Sequence, residues 1–375
     1  MGPAGIRVGR IFSIPIYLHP SWFLIFALIT FTLATQFTSL HPQWSHGQHW
    51  TVGLITSLLF FSSVLLHELG HSVVALRYRI PVLSITLFVF GGLARIGREA
   101  RRPWQEFAIA VAGPVTSLLL AALFFLLARP FAPDSVVGAM SGWLGEINLL
   151  LALFNLVPGF PLDGGRILRS IVWAATGDFN RATQWASRSG QFIAYLLILI
   201  GIVAAVVAGH WLNGLWYVFI GWFLLTAAQE SAAQAVVRRV LEGLRAADVM
   251  SGELPTVPRG LSLLDYLHEA LRTGRSCHLV MNDSDLAGII TLADIARFPR
   301  EAWATTSVQA AMRPPEATLW VSPEEPALRL LERMLESDLA QMPVMDHGRV
   351  VGVVSRDALL RLIQTRLQFA HLAEP

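Results

Sequence analysis

The chain has 375 residues and a formal net charge of +2; 54% of its residues are hydrophobic and only 14% are charged. Soluble globular domains carry about 25% charged residues, so this composition excludes a single soluble domain, and the high apolar content excludes a disordered chain. Cys277 is the only cysteine, which excludes a disulfide scaffold. Residues 1–245 hold 16 arginines against 9 acidic residues, whereas residues 246–375 hold 12 against 17. We therefore predict a membrane domain followed by a soluble domain.

Six apolar runs are long enough to cross a bilayer, which takes roughly 20 residues. They cover, approximately, residues 20–37, 52–76, 104–128, 143–161, 190–209 and 212–236. If the N-terminus is cytoplasmic, 15 arginines flank these runs on the cytoplasmic side and Arg129 alone lies on the other side. Because arginine-rich loops stay in the cytoplasm, we expect a multi-pass protein of the cell (inner) membrane. Its N-terminus and residues 246–375 would then be cytoplasmic.

The arginine clusters also indicate what the protein contacts. They are divided among short loops beside the predicted spans, so they suit the headgroups of a lipid bilayer and indicate no nucleic-acid partner. The chain contains no lysine, which we take as a sign of a bacterial source.

The second apolar run contains His67-Glu68-Leu69-Gly70-His71. Residues i and i+4 share one face of a helix, so both imidazoles can reach one metal ion while Glu68 addresses a bound water. The alternative is that these are stray polar residues on a hydrophobic helix. Ionisable residues inside a membrane are costly and usually functional, and the spacing therefore predicts a metal centre.

A catalytic zinc needs a third protein ligand and an open position for water. The membrane region offers two acidic candidates at the fourth run, Glu146 and Asp163. Asp163 lies in a segment rich in proline and glycine, residues 155–165, which interrupts the helix and allows a carboxylate to turn inward. A helix cap is the alternative role for Asp163; the two histidines favour its role as a ligand.

A short β-like segment lies between the second and third runs. Residues 84–96 are broken by Gly91-Gly92, and this pattern predicts a membrane-associated β-hairpin. Such backbone survives at membrane depth only where protein or water satisfies its polar groups.

An internal repeat marks the soluble part. Ala247-Asp-Val-Met250 matches Gln309-Ala-Ala-Met312, and residues 288–295 match residues 352–359. Each unit ends with a short hydrophobic strand, a Thr or Ser turn and the start of a helix. We therefore expect an α/β domain built from two similar halves.

These motifs, in this order, resemble the site-2 protease family of intramembrane zinc metalloproteases. The resemblance rests on HExxH in a span, Gly91-Gly92, Ala112-Gly-Pro-Val-Thr-Ser117 opening a span, and Asn155-x-x-Pro followed by Leu-Asp-Gly. It implies a protease domain over residues 1–240 with six transmembrane helices and one Zn²⁺ per chain. His67, His71 and Asp163 would bind the metal, Glu68 would be the catalytic base, and Asn155 would lie beside the metal.

The physics of the substrate adds a further expectation. A transmembrane helix shields its peptide bonds, so a single-span membrane protein must unwind before it is cut. An edge strand carrying Leu87, Val89, Gly91 and Gly92 would hold the unwound segment. The alternative is a hairpin that only packs.

The soluble repeat resembles a paired CBS (cystathionine-β-synthase-type) module over residues 246–375, with repeats at about 246–300 and 306–366. The resemblance implies an adenine nucleotide held by Thr291 and Asp294 in the first repeat and by Ser355 in the second. Ala358 stands where the second repeat would carry its acidic residue, which puts that site in doubt. A dimerisation module without a ligand is the alternative, and we expect a homodimer through the pair.

The resulting hypothesis is a zinc endopeptidase that cleaves membrane-bound regulatory proteins and is regulated through its CBS pair. Two rivals remain at this point. One is a CBS-regulated transporter or channel whose ionisable residues line a transport path. The other is an inactive relative that serves as a binding scaffold.

Overall fold

A computed structural model describes residues 5–89, 91–275, 277–282, 285–314, 320–337, 339–347 and 349–372. The chain divides into two compact units, Gly2–Ala235 and Val236–Pro375. The predicted boundary lies at residues 240–246, a few residues further along the chain. Each unit is described separately below.

The first unit is built from helices long and apolar enough to cross a membrane. Six helices of the described chain have this character: α1 (Pro20–Leu40), α2 (His46–Arg77), α3 (Pro103–Ala128), α4 (Val136–Asn155), α6 (Phe179–Val206) and α7 (Trp211–Leu241). A shorter helix, α5 (Asp163–Thr176), lies between α4 and α6. The predicted α-helical membrane domain with six spans is therefore confirmed.

The fourth span differs from its prediction. We expected residues 143–161, but α4 begins at Val136 and ends at Asn155. Ser135 caps its start by accepting a hydrogen bond from the Gly138 amide. Proline and glycine at positions 158, 159 and 161 end the helical run, so Asp163 begins a separate helix instead of closing the span.

The predicted hairpin is part of a larger sheet. Strands β1 (Ile6–Ile11), β2 (Ile14–Leu18), β3 (Val82–Phe88) and β4 (Gly91–Ile96) form one sheet in the order β1-β2-β3-β4. β3 pairs antiparallel with β4 and parallel with β2. The N-terminal hairpin was not predicted from the sequence.

The inner face of this sheet packs on the long helix α2. Ile14, Leu69 and Ile85 form one buried cluster at this contact. Leu87 joins a second cluster with Trp22, Phe61 and Val64. Since α2 carries the HExxH motif, this packing sets β4 beside it.

The second unit contains the two α/β repeats, and the predicted α/β CBS pair is confirmed. The first repeat has α8 (Ala246–Val249), β5 (Thr256–Pro258), α9 (Leu263–Thr273), β6 (Cys277–Asn282), β7 (Asp285–Thr291) and α10 (Leu292–Ile295). The second has α11 (Val308–Ala311), α12 (Ala327–Glu336), β8 (Gln341–Asp346), β9 (Arg349–Ser355) and α13 (Arg356–Leu372).

The two repeats exchange their first segments. Ser251 pairs with Val353 of the second repeat, and Arg313 pairs with Ile289 of the first. A Cβ at Gly352 would lie 2.6 Å from Met250 Sδ, and one at Gly288 would lie 2.4 Å from the Arg313 carbonyl oxygen. The Met and Gly that recur in the sequence therefore lie where the first segment of each repeat packs against the last strand of the other repeat.

Candidate metal centre

Helix α2 presents the HExxH residues along one face. His67 and His71 are each 4% exposed, and Glu68 between them is half-buried. Burial of two imidazoles in an apolar helix requires partners for their nitrogens. The Nδ1 atoms have them: His67 Nδ1 lies 2.9 Å from Ser117 Oγ, and His71 Nδ1 lies 2.6 Å from the Ile109 carbonyl oxygen.

Asp163 reaches the same place from the first turn of α5. Its position depends on the two glycines that follow. A Cβ at Gly164 would lie 2.3 Å from the Val157 carbonyl oxygen, and one at Gly165 would lie 2.4 Å from Phe160 N. The absence of these two side chains lets the start of α5 pack against the loop that follows α4.

An ion pair fastens α5 to α3. Arg169 Nε donates to Glu106 Oε1 at 2.7 Å, and the Glu106 side chain is 2% exposed. The guanidinium also lies over the rings of Phe160 and Phe179, at 4.9 and 4.7 Å from their centroids. A buried pair with this many contacts holds α5, and with it Asp163, in one position.

Three ligand atoms converge between these helices. The His67 and His71 Nε2 atoms lie 3.2 Å apart, and each lies 3.1 Å from Asp163 Oδ2. These are the only His, Cys, Asp or Glu residues of the described chain that cluster tightly enough to share a metal ion. Glu146, the other acidic candidate, is exposed on α4 and is not part of the cluster.

The residues present fit a zinc ion. Two imidazole nitrogens and one carboxylate oxygen are a common catalytic zinc ligand set, and separations near 3.1 Å suit atoms bound to one ion at about 2.0–2.2 Å. Helix α3 also leaves space there. A Cβ at Gly113 would lie 2.2 Å from His71 Nε2 and 2.6 Å from His67 Nε2, so only glycine is compatible with this arrangement.

A cavity of about 700 Å³ opens onto the cluster. Its polar wall contains His67, Glu68, His71, Asn155, Asp163 and Arg166, and apolar side chains of α1, α2, α4 and α7 form much of the rest. Glu68 lines this cavity beside β4, where a Cβ at Gly92 would lie 2.3 Å from Glu68 Cγ. The site therefore combines three ligand atoms, a carboxylate that is not one of them, and room for a substrate.

The other predicted residues of this region are divided between the cavity and the core. Asn155, the last residue of α4, lines the cavity and donates from Nδ2 to the Leu151 carbonyl oxygen at 3.0 Å. Val89, Gly91 and Gly92 line it as well. Leu87 does not: its side chain is buried in the core, and its strand β3 is paired on both sides. The edge strand on this side of the sheet is β4.

The predicted nucleotide residues have hydrogen-bond partners within the second unit, one of them across the two repeats. Asp294 is fully buried: Oδ2 accepts from Thr291 N at 3.0 Å and from Thr291 Oγ1 at 2.7 Å, and Oδ1 accepts from Arg313 Nε at 2.8 Å. Ser355 Oγ accepts from Ala358 N at 3.1 Å.

Burial and, secondarily, the nearby Asp294 raise the pKa of the Cys277 thiol to about 12. This thiol is therefore unreactive, as expected of a buried cysteine.

Sequence reasoning missed several residues around the metal cluster. Ser117 and Gly113 belong to a motif that we singled out without giving it a chemical role, and Arg166 and Arg169 follow the Leu-Asp-Gly segment directly. For the residues of α3, the sequence did contain a usable pattern. Ile109, Gly113 and Ser117 are four residues apart, and this spacing places them on one face of the helix.

Comparisons with known proteins identify the family of this chain. The family model described as Peptidase family M50 matches residues 55–134 and 130–198, and the CBS domain model matches residues 246–301 and 308–365. A Synechocystis protein carrying the name zinc metalloprotease sll0528 is 40% identical over 96% of both chains. A Mycobacterium tuberculosis protein carrying the name zinc metalloprotease Rip3 is 36% identical over 99% of this chain and 94% of its own.

A solved site-2 protease from Methanocaldococcus jannaschii is 28% identical to this chain, covering 61% of this chain and 95% of its own with a TM-score of 0.44. The full-length relatives and the two family matches decide the assignment. This protein belongs to peptidase family M50, the site-2 protease family of zinc metalloproteases, and carries a CBS-domain pair at its C-terminus.

Proposed function

We propose that this multi-pass membrane metalloprotease cuts peptide bonds in or near the transmembrane segment of single-span regulatory proteins. His67, His71 and Asp163 would hold one Zn²⁺, and Glu68 would be the general base. The observation that carries the proposal is the convergence of three buried ligand atoms beside Glu68 in a cavity among apolar helices. A transport path would not need three ligand atoms at one point, and an inactive scaffold would not need the adjacent carboxylate.

The proposed roles follow from the geometry. When bound, zinc polarises the substrate carbonyl and lowers the pKa of a water molecule. Glu68 is not one of the three converging ligands, so its carboxylate is free to accept a proton from water and pass it to the leaving amine. Asn155 lines the same cavity and is placed to bind the substrate backbone if its amide leaves the Leu151 carbonyl.

Replacing Glu68 with Gln tests this proposal. General bases contribute about 10²–10⁴-fold to rate, so Glu68→Gln should lower cleavage at least 100-fold while zinc content stays unchanged. Quantitative membrane proteomics of a Glu68→Gln strain should show a single-span protein accumulating uncut. Glu146→Gln, which neutralises an exposed carboxylate on α4, is the matched control. Cleavage that survives in Glu68→Gln would remove Glu68 from the mechanism.

We also propose that the substrate binds as an added strand on β4. Strand β4 pairs with β3 on one side, and its residues Gly91, Gly92, Leu93, Ala94 and Ile96 line the cavity beside Glu68. Pairing with β4 would give the unwound segment hydrogen-bond partners for its backbone N–H and C=O groups. An unwound helix at membrane depth otherwise lacks such partners. Of the predicted substrate residues, Gly91 and Gly92 lie on β4, whereas Leu87 lies on the interior strand β3 and is not part of this proposal.

Cross-linking can test the strand assignment. In a Glu68→Gln, Cys277→Ser background, Leu93→Cys should form disulfides with single-cysteine substrates. Val8→Cys on β1, the opposite edge of the same sheet, is the matched control and should not. Equal cross-linking at both positions would contradict binding at β4.

For the topology, we propose that the N-terminus and the CBS pair are cytoplasmic, as the arginine distribution indicates. In the same cysteine-free background, a cysteine at exposed position 46 or 133 should react with an impermeant reagent from outside. Cysteines at exposed positions 98 and 181 should react only after the membrane is opened. External labelling at position 98 would reverse this orientation.

For the CBS pair, we propose that an adenine nucleotide binds the first repeat and that the pair forms a homodimer. The Asp294 carboxylate already accepts hydrogen bonds from Thr291 and Arg313. It can therefore contact a ribose only if the Arg313 guanidinium moves away from it. Arg313→Ala should therefore raise the affinity for AMP or ATP in calorimetric titration. Absent nucleotide binding would favour a ligand-free dimerisation module, and unchanged affinity in Arg313→Ala would contradict a ribose contact by Asp294.

A further inference from the structure

Helix α3 contributes three successive features to the metal centre, one on each turn of the same face. The carbonyl oxygen of Ile109 accepts from His71 Nδ1 at 2.6 Å, Gly113 leaves space for the ligand atoms, and Ser117 Oγ lies 2.9 Å from His67 Nδ1. Residues four apart lie one above another on a helix. This face explains the Ala-Gly-Pro-Val-Thr-Ser segment, for which the proposed catalytic steps gave no role.

The hydrogen bond to Ile109 determines the tautomer of His71. A carbonyl oxygen can only accept, so Nδ1 must carry a proton, and in the neutral ring Nε2 then presents a lone pair toward His67 and Asp163. A metal ligand is the chemical role that this arrangement permits.

Ser117 supplies the equivalent contact for His67. Its side chain is fully buried, and its hydroxyl can accept from Nδ1–H of His67. With Nδ1 protonated, His67 Nε2 also presents a lone pair at 3.2 Å from His71 Nε2 and 3.1 Å from Asp163 Oδ2. Three acceptors this close repel one another unless a cation or a shared proton lies between them.

We infer that Ser117 is a positioning residue of the metal centre, which holds His67 in the Nδ1-protonated tautomer and so aims its Nε2 at the ion. The inference rests on the proposed zinc ligands. Partners of this kind are worth about 10–100-fold in metal affinity, because they fix the orientation of the ring and raise its basicity. Ser117 acts through His67 and does not touch substrate.

Metal affinity of the full-length protein in detergent, measured by competition with a chromogenic zinc chelator, tests this role. Ser117→Ala should weaken zinc binding about 10–100-fold, and Ser117→Thr, which keeps the hydroxyl, should restore it. The Co²⁺-substituted Ser117→Ala protein should show a shifted visible spectrum, which a change in packing away from the metal would not produce. Gly113→Ala should abolish metal binding, since its Cβ would overlap the ligand nitrogens.

Ser57→Ala is the matched control. Ser57 is equally buried on α2 but donates to the Gly53 carbonyl of its own helix at 2.8 Å. Its loss should leave zinc affinity unchanged. Wild-type affinity in Ser117→Ala would overturn the inference, and equal losses in Ser117→Ala and Ser117→Thr would assign the effect to packing and overturn it too. A wild-type protein that binds no zinc would instead overturn the proposed function.

Discussion

Two buried aspartates, one in each unit of the molecule, have opposite surroundings. Asp163 faces two imidazole nitrogens at 3.1 Å, and all three atoms point toward one position beside a cavity. Asp294 has its oxygens satisfied by Thr291 and Arg313 of its own unit. Burial and charge are alike in the two cases. The difference lies in the partners. Asp294 has donors within the chain for both of its oxygens, as expected of a structural carboxylate, whereas Asp163 faces two further ligand atoms, as expected of a site for a ligand.

The largest effect should come from Asp163→Asn. The amide keeps the volume but removes the negative charge that offsets a divalent cation, so zinc affinity should fall more than about 100-fold. Elemental analysis after dialysis against a weak chelator would measure this loss, and proteolysis should fall with it. Thermal unfolding of the metal-free protein should change less than zinc affinity does, because both imidazoles keep their Nδ1 contacts with Ser117 and Ile109. Full zinc content in Asp163→Asn would place the third ligand elsewhere.

Asp294→Asn should have the reverse profile. An amide cannot accept from both Thr291 and Arg313 as the carboxylate does, and a buried donor left without a partner costs about 1–3 kcal/mol. Since Arg313 is partly exposed, we expect about 2 kcal/mol of lost stability in the second unit. Hydrogen exchange of β6 and β7 in the full-length protein should accelerate accordingly, with zinc content unchanged.

The control for this variant is Asp357→Asn. Asp357 is exposed near the start of α13, in the second repeat, and its replacement should leave exchange unchanged. Exchange in Asp294→Asn that matches the wild type would show that the carboxylate is not structural. The contrast between Asp163 and Asp294 would then fail.

The smallest effect concerns the pH dependence of the second unit. Burial, with a smaller contribution from Arg275, lowers the pKa of His278 below its usual 6.5, while Glu269 opposes the shift. The unfolded chain therefore binds a proton at the His278 imidazole more readily than the folded chain does. The stabilisation is complete above pH 6.5 and is lost as pH falls toward the folded-state pKa, at a slope of up to about 1.4 kcal/mol per pH unit.

Hydrogen exchange of β6 between pH 7.5 and 5, corrected for the intrinsic exchange rate, would measure this slope. His278→Leu should reduce it by up to one proton. His268→Leu is the control, because that residue is exposed on α9. An equal slope in the wild type and in His278→Leu would assign the acid sensitivity to other groups.

Much of this molecule follows from its sequence because the membrane imposes simple rules. Long apolar runs become spanning helices, and the spacing of His67 and His71 puts both on one face of α2 whatever surrounds it. The repeated Met and Gly of the C-terminal half likewise announced two similar units. These features depend on composition and on helical periodicity, which are local properties of the chain.

The sequence left other features open because they depend on contacts between distant segments. The residues alone offered Glu146 and Asp163 as candidates for the third ligand, and the family resemblance favoured Asp163. The packing of α5 against α3 shows how the Asp163 carboxylate, and not that of Glu146, comes to lie beside the two histidines. Leu87 was placed on a substrate strand because nothing local shows that residues 6–18 add a hairpin and turn β3 into an interior strand. An edge strand is a property of the whole sheet.

The sequence by itself therefore determined the spanning helices, the two-histidine face with its adjacent carboxylate, and the CBS repeat. Only the tertiary structure showed how α5 brings the predicted Asp163 to the two histidines, that β4 is the strand beside Glu68, and that Asp294 is satisfied by its own chain. The physical reason is the sequence separation of the residues that must come together. Periodicity fixes which side chains share a face of one helix, whereas coordination requires atoms from α2, α3 and α5 to meet within about 3 Å, a distance that only packing can set.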